Sequence, residues 1–332
     1  MPVIYIDRRD VDLDLDAGAL IVRLEGRRVA SFPLAGAERV VLRRAGSISH
    51  RLLAGLGERG IGLLVFGGRR GEPRAQMVGR PHGDVTIRMG QFALARDSEA
   101  NLNLARFAVR GKLVGQLRLL EEARARRPDL RKRLLDGSRE MESLCNDLPV
   151  ARTLDRLRGL EGAAAASFFR AYRWLFPASL EFTGRNRRPP RDPVNACLSL
   201  AYSLLHAEAL RAAWIAGLDP MLGFLHSPLP GRPSLASDLV ELCRPGAERW
   251  VWGLFRDRTL RAQHFHDVEG ACLLGKAGRA VFYETYESDL ARIERRRLRH
   301  AAALFARTAR AAAADDTQLS LPNPLGEEEV PP

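Results

Sequence analysis

The chain has 332 residues, of which 46% are hydrophobic and 28% are charged, which excludes disorder throughout and leaves room for one large domain or two ordinary ones. The 52 Lys and Arg residues outnumber the 40 Asp and Glu residues, so the formal charge is +12. Five acidic and no basic residues follow Arg310, so the chain up to that residue carries +17. Such a surplus favours a polyanionic partner, either a nucleic acid or an anionic membrane surface.

The apolar stretches and cysteines of the sequence predict a cytoplasmic protein with no membrane-spanning segment, and the acid and histidine residues described below favour DNA over a membrane as the anionic partner. The first residues, MPVIYIDRRDVD, combine a short apolar run with mixed charges, which is not typical of a signal or transit peptide. The longest apolar stretch, 193–217, contains Glu208 and Arg211, which would be costly in lipid, so it predicts a buried helix. The four cysteines are far apart and form no CxxC pair, which argues against a zinc knuckle or a disulfide framework.

The first 89 residues show the two-residue alternation of strands. Val11, Leu13 and Leu15 alternate with aspartates, which is typical of a half-buried strand. Further strands are predicted at 3–6, 19–24, 28–33, 39–42 and 62–66, with a short helix at 49–56 and a loop rich in Gly and Arg at 67–74. Residues 1–89 are therefore predicted to form a small β-rich domain with one helix.

From about Gly90 the apolar residues recur with the 3.6-residue period of helices. Helices are predicted at 98–122, 141–157, 162–176 and 193–217, and a last one runs from Ser288 as N-cap to about Arg310. Asp192 followed by Pro193 is a good helix start, and Gly217 is a good stop. We therefore predict an α+β fold, in which a larger all-helical domain spans 90–314 and an acidic, Pro-rich, disordered tail spans 315–332.

Two local motifs resemble known sites but lack the context that those sites require. The GxGxxG motif at 55–60 follows a helix and precedes a strand, the reverse of a dinucleotide-binding fingerprint, so a helix stop and tight turn is the better interpretation. The HFHD motif at 264–267 has only Glu269 nearby as a further ligand. A surface cluster is therefore favoured there over a metal site.

Four residues in three separate segments have the chemistry of a metal site. Glu161 lies between two glycines at the start of a predicted alanine-rich helix, and His226 follows an apolar run. Asp238 and Glu241 are predicted to share one face of a helix that Ser234 caps. Oxygen ligands with a single imidazole suit Mn²⁺ or Mg²⁺ better than structural zinc. Each residue also has an ordinary explanation, as a first-turn acid, a satisfied loop histidine or a solvated helix face.

Arginines are concentrated before Pro193 and on the last predicted helix. Arg185, Arg187 and Arg188 lie in TGRNRRPPRDP, where the prolines impose an extended backbone. Guanidinium groups in such a segment could follow a DNA backbone, because they bind phosphate in bidentate geometry. A solvated linker explains them equally well. Arg292 and Arg296 belong to the strongly basic surface of the last helix.

Four segments, in this order, resemble a single family: GLEGAAAASFF, EFTGRNRRPPRDPVNACLSLAYSLL, GLDPMLGFLH and GRPSLASDLVELCRP. The chain is similar here to the CRISPR-associated integrases of spacer acquisition, the first-numbered Cas proteins. The match is specific from about Gly159 to Pro245. The β-rich beginning followed by helices also agrees with the architecture of that family, whereas the final acid of the last segment is Glu241 rather than aspartate.

The resemblance implies a metal-dependent DNA endonuclease and integrase of CRISPR adaptation. Glu161, His226 and Glu241 match the family's ligands for Mn²⁺ or Mg²⁺, and Asp238 matches a supporting acid of the same catalytic site. The implied reaction is attack of a DNA 3′ hydroxyl on a phosphodiester, which inserts foreign DNA into a CRISPR array.

The resemblance also implies partners. These are double-stranded DNA, both the foreign fragment and the CRISPR repeat, a second copy of the chain bound through the β-rich domain, and a dimer of a small ferredoxin-like protein. The alternative function is a DNA-binding scaffold of the adaptation complex whose metal site has lapsed.

Overall fold

The computed structural model describes residues 3–44, 46–67, 72–79, 82–186 and 189–316. Its strands are β1 (Val3–Asp7), β2 (Val11–Asp16), β3 (Ala19–Leu24), β4 (Arg27–Pro33), β5 (Arg39–Arg43), β6 (Ser47–Ile48), β7 (Gly62–Gly67), β8 (Glu72–Met77), β9 (Phe265–Val268) and β10 (Ala271–Leu274). Its α-helices are α1 (His50–Glu58), α2 (Thr86–Arg96), α3 (Ser98–Arg126), α4 (Arg131–Asn146), α5 (Leu154–Tyr172), α6 (Pro193–Ile215), α7 (Ser234–Glu241), α8 (Arg244–Arg256), α9 (Lys276–Thr285) and α10 (Arg292–Asp316). The predicted β-rich beginning and predominantly helical remainder are confirmed.

Two four-stranded sheets form the β-rich part. One has the order β4-β3-β2-β6, in which β2, β3 and β4 pair antiparallel and β6 runs parallel to β2. The other has the order β1-β5-β7-β8, in which the first three strands are parallel and β8 is antiparallel. Apolar side chains of both sheets and of α1, including Leu13, Val40 and Leu56, form a common core.

Strand β8 begins within the loop that was predicted at 67–74 and includes its last three residues. Its sequence, EPRAQM, is polar and contains Pro73, so the pattern gave no strand signal. Such a composition is tolerated here because β8 pairs only with β7 and forms the edge of its sheet. The interpretation of the GxGxxG motif is confirmed: α1 ends at Glu58, and Gly60 has the positive φ of +65° that glycine adopts readily.

The sheet containing β5 is buried on both faces, and this joins the β-rich part to the helices. Val40 points into the core of the β-rich part, whereas Val41, the next residue, packs into the helical core. Arg39, the first residue of β5, is buried and forms a salt bridge with Glu208 on α6. Glu208 also accepts a hydrogen bond from Arg295 on α10. The charge that interrupts the apolar helix is therefore paired inside the protein.

Helix α6 has the start and stop that the sequence predicts. The side chain of Asp192 accepts a hydrogen bond from the amide of Asn195 at 2.8 Å, and Gly217 has a φ of +85°. None of the helices in the described residues has the length and apolar composition needed to cross a membrane.

The C-terminal part differs from the prediction in four respects. The segment predicted as one helix at 141–157 is divided between α4, which ends at Asn146, and α5, which begins at Leu154. Strands β9 and β10 form a hairpin, so 90–314 is not entirely helical. Ser288 does not cap a helix, since it lies in a π-helical segment, Tyr286–Ala291, that joins α9 to α10, and its hydroxyl donates to the Thr285 carbonyl. Helix α10 continues to Asp316, two residues into the predicted tail, and the rest of that tail, 317–332, lies outside the described residues.

Candidate functional site

Glu161 lies on the third turn of α5 and not at the start of a helix as predicted. The helix begins earlier because Thr153 caps it, with its side chain accepting a hydrogen bond from the amide of Arg156. The flanking Gly159 and Gly162 are both exposed, and the Glu161 side chain keeps 25% of its surface exposed. The carboxylate is therefore directed partly toward neighbouring helices and partly toward solvent.

The buried carboxylate of Asp238 organises the loop that carries His226. Its Oδ2 accepts hydrogen bonds from the amides of Phe224 and Leu225 at 2.6 and 3.0 Å, and its Oδ1 accepts one from the amide of His226 at 3.0 Å. The loop passes very close to α7, since a Cβ at Gly223 would lie 2.8 Å from Asp238 Oδ2. The Nδ1 atom of His226 also lies 2.6 Å from Oδ1, which fixes the orientation of the ring.

Arg158, one turn before Glu161, ties the same loop to α5. Its Nε donates to the carbonyl of Leu225 at 2.8 Å, and its Nη2 donates to the hydroxyl of Ser227 at 2.8 Å. These two contacts lie on either side of His226 in the sequence. The backbone that carries the imidazole is therefore held by α7 on one side and by α5 on the other.

Glu241, the last residue of α7, is buried in a cluster of alternating charges. Lys112 on α3 lies between two carboxylates: its Nζ donates to Glu161 Oε1 and lies 2.8 Å from Glu241 Oε2. Arg244 Nε donates to Glu241 Oε1 at 2.8 Å. Burial raises the pKa of Glu241, but Arg244, Lys112 and His226 lower it more, to about 2. Glu241 is therefore ionised at neutral pH.

A second buried acid, Glu248 on α8, is connected to this cluster through Tyr202. Its carboxylate accepts hydrogen bonds from Gln116 Nε2 at 3.0 Å and from the Tyr202 hydroxyl at 2.8 Å. The ring of Tyr202 also lies under the Arg244 guanidinium, 4.5 Å from its centroid. Burial raises the pKa of Glu248. Tyr202, which is held by Glu248, therefore packs against the Arg244 guanidinium and helps to keep its charge directed at Glu241.

The structure brings Glu161 and Glu241 to one cation, the ammonium of Lys112, while His226 is held by Asp238. In the part of the chain that the structure describes, no cluster of three or more His, Cys, Asp or Glu side chains is arranged to hold a metal ion. In the HFHD motif, His266 and Asp267 are exposed on the β9–β10 hairpin, which is where a surface cluster would lie. Asp238 and Glu241 make different contacts, because Asp238 contacts the loop and Glu241 contacts Lys112 and Arg244.

The donor set nevertheless suits a hard divalent cation. Two carboxylates from different helices already converge on a positive charge, and Glu241 Oε2 is buried without a well-oriented hydrogen bond from the described residues. The contact between His226 Nδ1 and Asp238 is the one that orients metal-binding histidines through their second ring nitrogen. Nε2 of His226 is then the nitrogen that could bind an ion. By the chemistry of their donor atoms, Glu161, Glu241 and His226 therefore suit Mn²⁺ or Mg²⁺.

The predicted DNA-binding arginines differ in where the structure places them. Arg185 is turned toward α6, where it donates to Asn195 Oδ1 at 2.8 Å and to the Ser199 hydroxyl at 3.1 Å, so it holds its loop in place. Arg187 and Arg188 lie outside the described residues. Arg292 and Arg296 are exposed on α10, as the prediction requires.

Sequence reasoning missed Lys112, Arg158 and Arg244. The signal for Lys112 was present in the sequence, since it falls on the heptad stripe of α3 that contains Ala105, Val109 and Gln116, where a charge is unexpected. Arg158 and Arg244 lie three residues from Glu161 and Glu241 respectively, but only Arg158 shares a helix with its acid, because Glu241 ends α7 and Arg244 begins α8. Their actual contacts depend on long-range packing and could not be deduced.

Comparison with known proteins gives consistent results. Residues 4–288 match the family model described as CRISPR associated protein Cas1. The chain is 36% identical over 294 residues to the CRISPR-associated endonuclease Cas1 1 of Thermodesulfovibrio yellowstonii, with 86% of this chain and 91% of the relative covered.

Two solved structures share the fold at lower sequence identity. A casposase bound to an integration product is 19% identical, with a TM-score of 0.78 and coverage of 92% of this chain and 91% of that one. A chain of a Cas6-RT-Cas1–Cas2 complex is 20% identical, with a TM-score of 0.78, and covers 94% of this chain and 35% of that longer one.

Proposed function

The chain belongs to the CRISPR-associated protein Cas1 family, and we propose that it is a metal-dependent DNA endonuclease and integrase of CRISPR adaptation. In this proposal it inserts foreign DNA segments into a CRISPR array. The observation that carries the proposal is the convergence of Glu161 and Glu241, from α5 and α7, on a single positive charge. Two comparisons support the proposal. A relative that is 36% identical is named an endonuclease, and a protein of the same fold is bound to an integration product.

The proposed reaction needs charge neutralisation at a phosphodiester more than it needs a strong nucleophilic side chain. Glu161, Glu241 and His226 would hold Mn²⁺ or Mg²⁺. The bound ion would polarise the phosphate and favour attack by a DNA 3′ hydroxyl, or by water when the DNA is cut. Asp238 keeps the imidazole in the orientation that leaves Nε2 for the ion, and Arg244 keeps Glu241 ionised.

We further propose that the substrate is double-stranded DNA and that two copies of the chain act with a dimer of a small ferredoxin-like partner. The basic surplus of the chain and the exposed Arg292 and Arg296 support DNA as the substrate. The partner is supported by the Cas1–Cas2 complex whose chain shares this fold. In the proposal the second copy binds through the β-rich part.

A second candidate function is a DNA-binding scaffold whose metal site has lapsed. The observation that favours it is the Lys112 ammonium, which lies where the two carboxylates would otherwise meet a metal ion. A scaffold of this kind would recruit DNA and partner without cutting or joining.

Strand transfer of a DNA duplex with labelled 3′ ends into a branched target separates the two functions. The reaction is run with Mn²⁺, with Mg²⁺ and with a chelator. We expect joining with either metal and none with the chelator. We expect Glu161→Ala and His226→Ala to abolish Mn²⁺-dependent joining while the oligomeric state, measured by light scattering, stays that of the wild type.

Matched controls are Glu142→Ala and His50→Ala, which alter exposed residues remote from the site in the sequence. Both should join DNA at the wild-type rate. Retained joining in both site variants would refute the site assignment. A wild-type protein that binds DNA but neither cuts nor joins it with any metal would establish the scaffold function instead.

A further inference from the structure

Lysine is rare in this chain, and one lysine is buried in the candidate site. Among the 52 basic side chains only three are lysines, Lys112, Lys132 and Lys276. Lys132 and Lys276 are exposed, whereas Lys112 retains 5% of its side-chain surface. A chain that uses arginine almost everywhere therefore places a lysine between two carboxylates, where a compact point charge fits and the planar fork of arginine would not.

The position of the Lys112 ammonium is that of a counter-ion. It contacts Glu161 on one side and Glu241 on the other, and both contacts come from α3, a third helix. With Arg244 it balances the two carboxylates, so these four side chains together are electrically neutral without a metal. A divalent cation bound by the same oxygens would be repelled by an ammonium that remained between them.

We propose that Lys112 is an exchangeable counter-ion, which holds Glu161 and Glu241 together before metal binding and gives up its position when Mn²⁺ or Mg²⁺ binds. This inference rests on the proposed function. The ammonium can leave without unfolding the site, because it is carried on a flexible four-carbon chain and Glu161 is partly open to solvent. Lys112 is thus a positioning residue for the carboxylates, and the metal competes with it.

The first test follows the reactivity of the three lysines in the wild-type protein. The chain is treated briefly with acetic anhydride in chelator, in Mg²⁺ and in Mn²⁺, and acetylation at each lysine is measured by mass spectrometry. Lys132 and Lys276 serve as internal controls, and their labelling should not depend on metal. We expect Lys112 to be protected in chelator and to be labelled at least about tenfold faster with metal, because the released amine becomes accessible.

The second test measures Mn²⁺ affinity by calorimetry without DNA, so it does not depend on catalysis. We expect Lys112→Met to bind Mn²⁺ about tenfold more tightly than the wild type, since the metal no longer displaces a cation. The surface variant Lys132→Met should match the wild type. A purely structural lysine would give the opposite result, with unchanged or weaker affinity in Lys112→Met.

The outcomes separate this inference from the proposed function. If the wild type binds Mn²⁺ while Lys112 stays equally protected, or if Lys112→Met binds no more tightly, the exchange is refuted and the metal site stands. If the wild type binds no Mn²⁺ at all, both proposals are overturned. If Lys112→Met does not fold, the labelling of the wild type decides alone.

Discussion

Asp238 provides a decisive test of the site, because its contacts give a physical basis to the supporting role that the resemblance implies. As a metal ligand it would be dispensable for folding. In the structure its carboxylate is 1% exposed and accepts hydrogen bonds from the amides of Phe224, Leu225 and His226. We therefore expect Asp238→Ala to unfold the loop that presents His226, with or without metal.

The magnitude follows from the groups that would lose their acceptor. A buried amide left without a hydrogen bond costs about 1–3 kcal/mol, so three amides set the scale of the loss. Removing a buried charge returns part of its desolvation cost. We expect the free energy of unfolding to fall by about 3–5 kcal/mol in Asp238→Ala. Asp238→Asn, which keeps one acceptor oxygen, should lose about half as much.

The assay is urea unfolding in the presence of chelator, combined with hydrogen exchange of the three loop amides. Asp136→Ala, on the exposed face of α4, is the control and should match the wild type. The exchange measurement detects loop opening that does not propagate to the whole domain. An Asp238→Ala protein within about 0.5 kcal/mol of the wild type, with unchanged amide protection, would refute the organising role.

Three further predictions concern packing, pH and salt. Gly90→Ala should lower the free energy of unfolding by about 1–3 kcal/mol, because the new Cβ would meet the Ala309 carbonyl on α10. Gly57→Ala is the control and should raise the free energy of unfolding by about 0.5 kcal/mol, because no atom lies near its Cβ position. Equal urea midpoints for the two variants would contradict this prediction. Burial raises the pKa of Glu248, so its ionised form opposes folding, and the penalty grows as pH rises above the ordinary carboxyl range. Glu248→Gln should therefore gain stability relative to the wild type as pH rises above the ordinary carboxyl range, and a difference independent of pH would contradict the assignment. DNA affinity should fall steeply as the salt concentration rises. Replacing both Arg292 and Arg296 by alanine should reduce the slope of log affinity against log salt concentration by about 2. An unchanged slope would show that DNA binds elsewhere on the surface.

The parts of the fold that the sequence predicted are those governed by local chemistry. Helix α6 begins after the cap Asp192, with the fixed φ of Pro193 at its first position, and ends before Gly217, which has a positive φ. Each of these signals can be recognised within a few residues of sequence. Strand β8 and the β9–β10 hairpin escaped prediction because each is held by pairing with a neighbouring strand and not by its own alternation. Ser288 failed as a cap because the tertiary packing of α9 and α10 keeps the backbone helical through it.

The candidate site shows the same division. The types of residue needed for a divalent ion, and the three segments that carry them, could be recognised from the sequence. Their mutual arrangement could not, because Lys112 comes from a helix about fifty residues before Glu161 and Arg158 acts through the backbone of a loop beyond it. Arg185 shows the same limit, because its place in a basic, Pro-rich segment does not indicate that it is turned inward to contact α6.

The charge of the chain and the charge of the site can now be separated. In the site, Lys112 and Arg244 balance Glu161 and Glu241, so the surplus of positive charge belongs to the surface, where Arg292 and Arg296 are exposed. Surface charges are screened by salt, whereas buried pairs are screened much less. Salt should therefore weaken the binding of DNA without weakening the binding of a metal, and a metal should exchange with Lys112 without altering the surface that DNA meets. In the proposed function, DNA binding and chemistry thus depend on different charges of this chain.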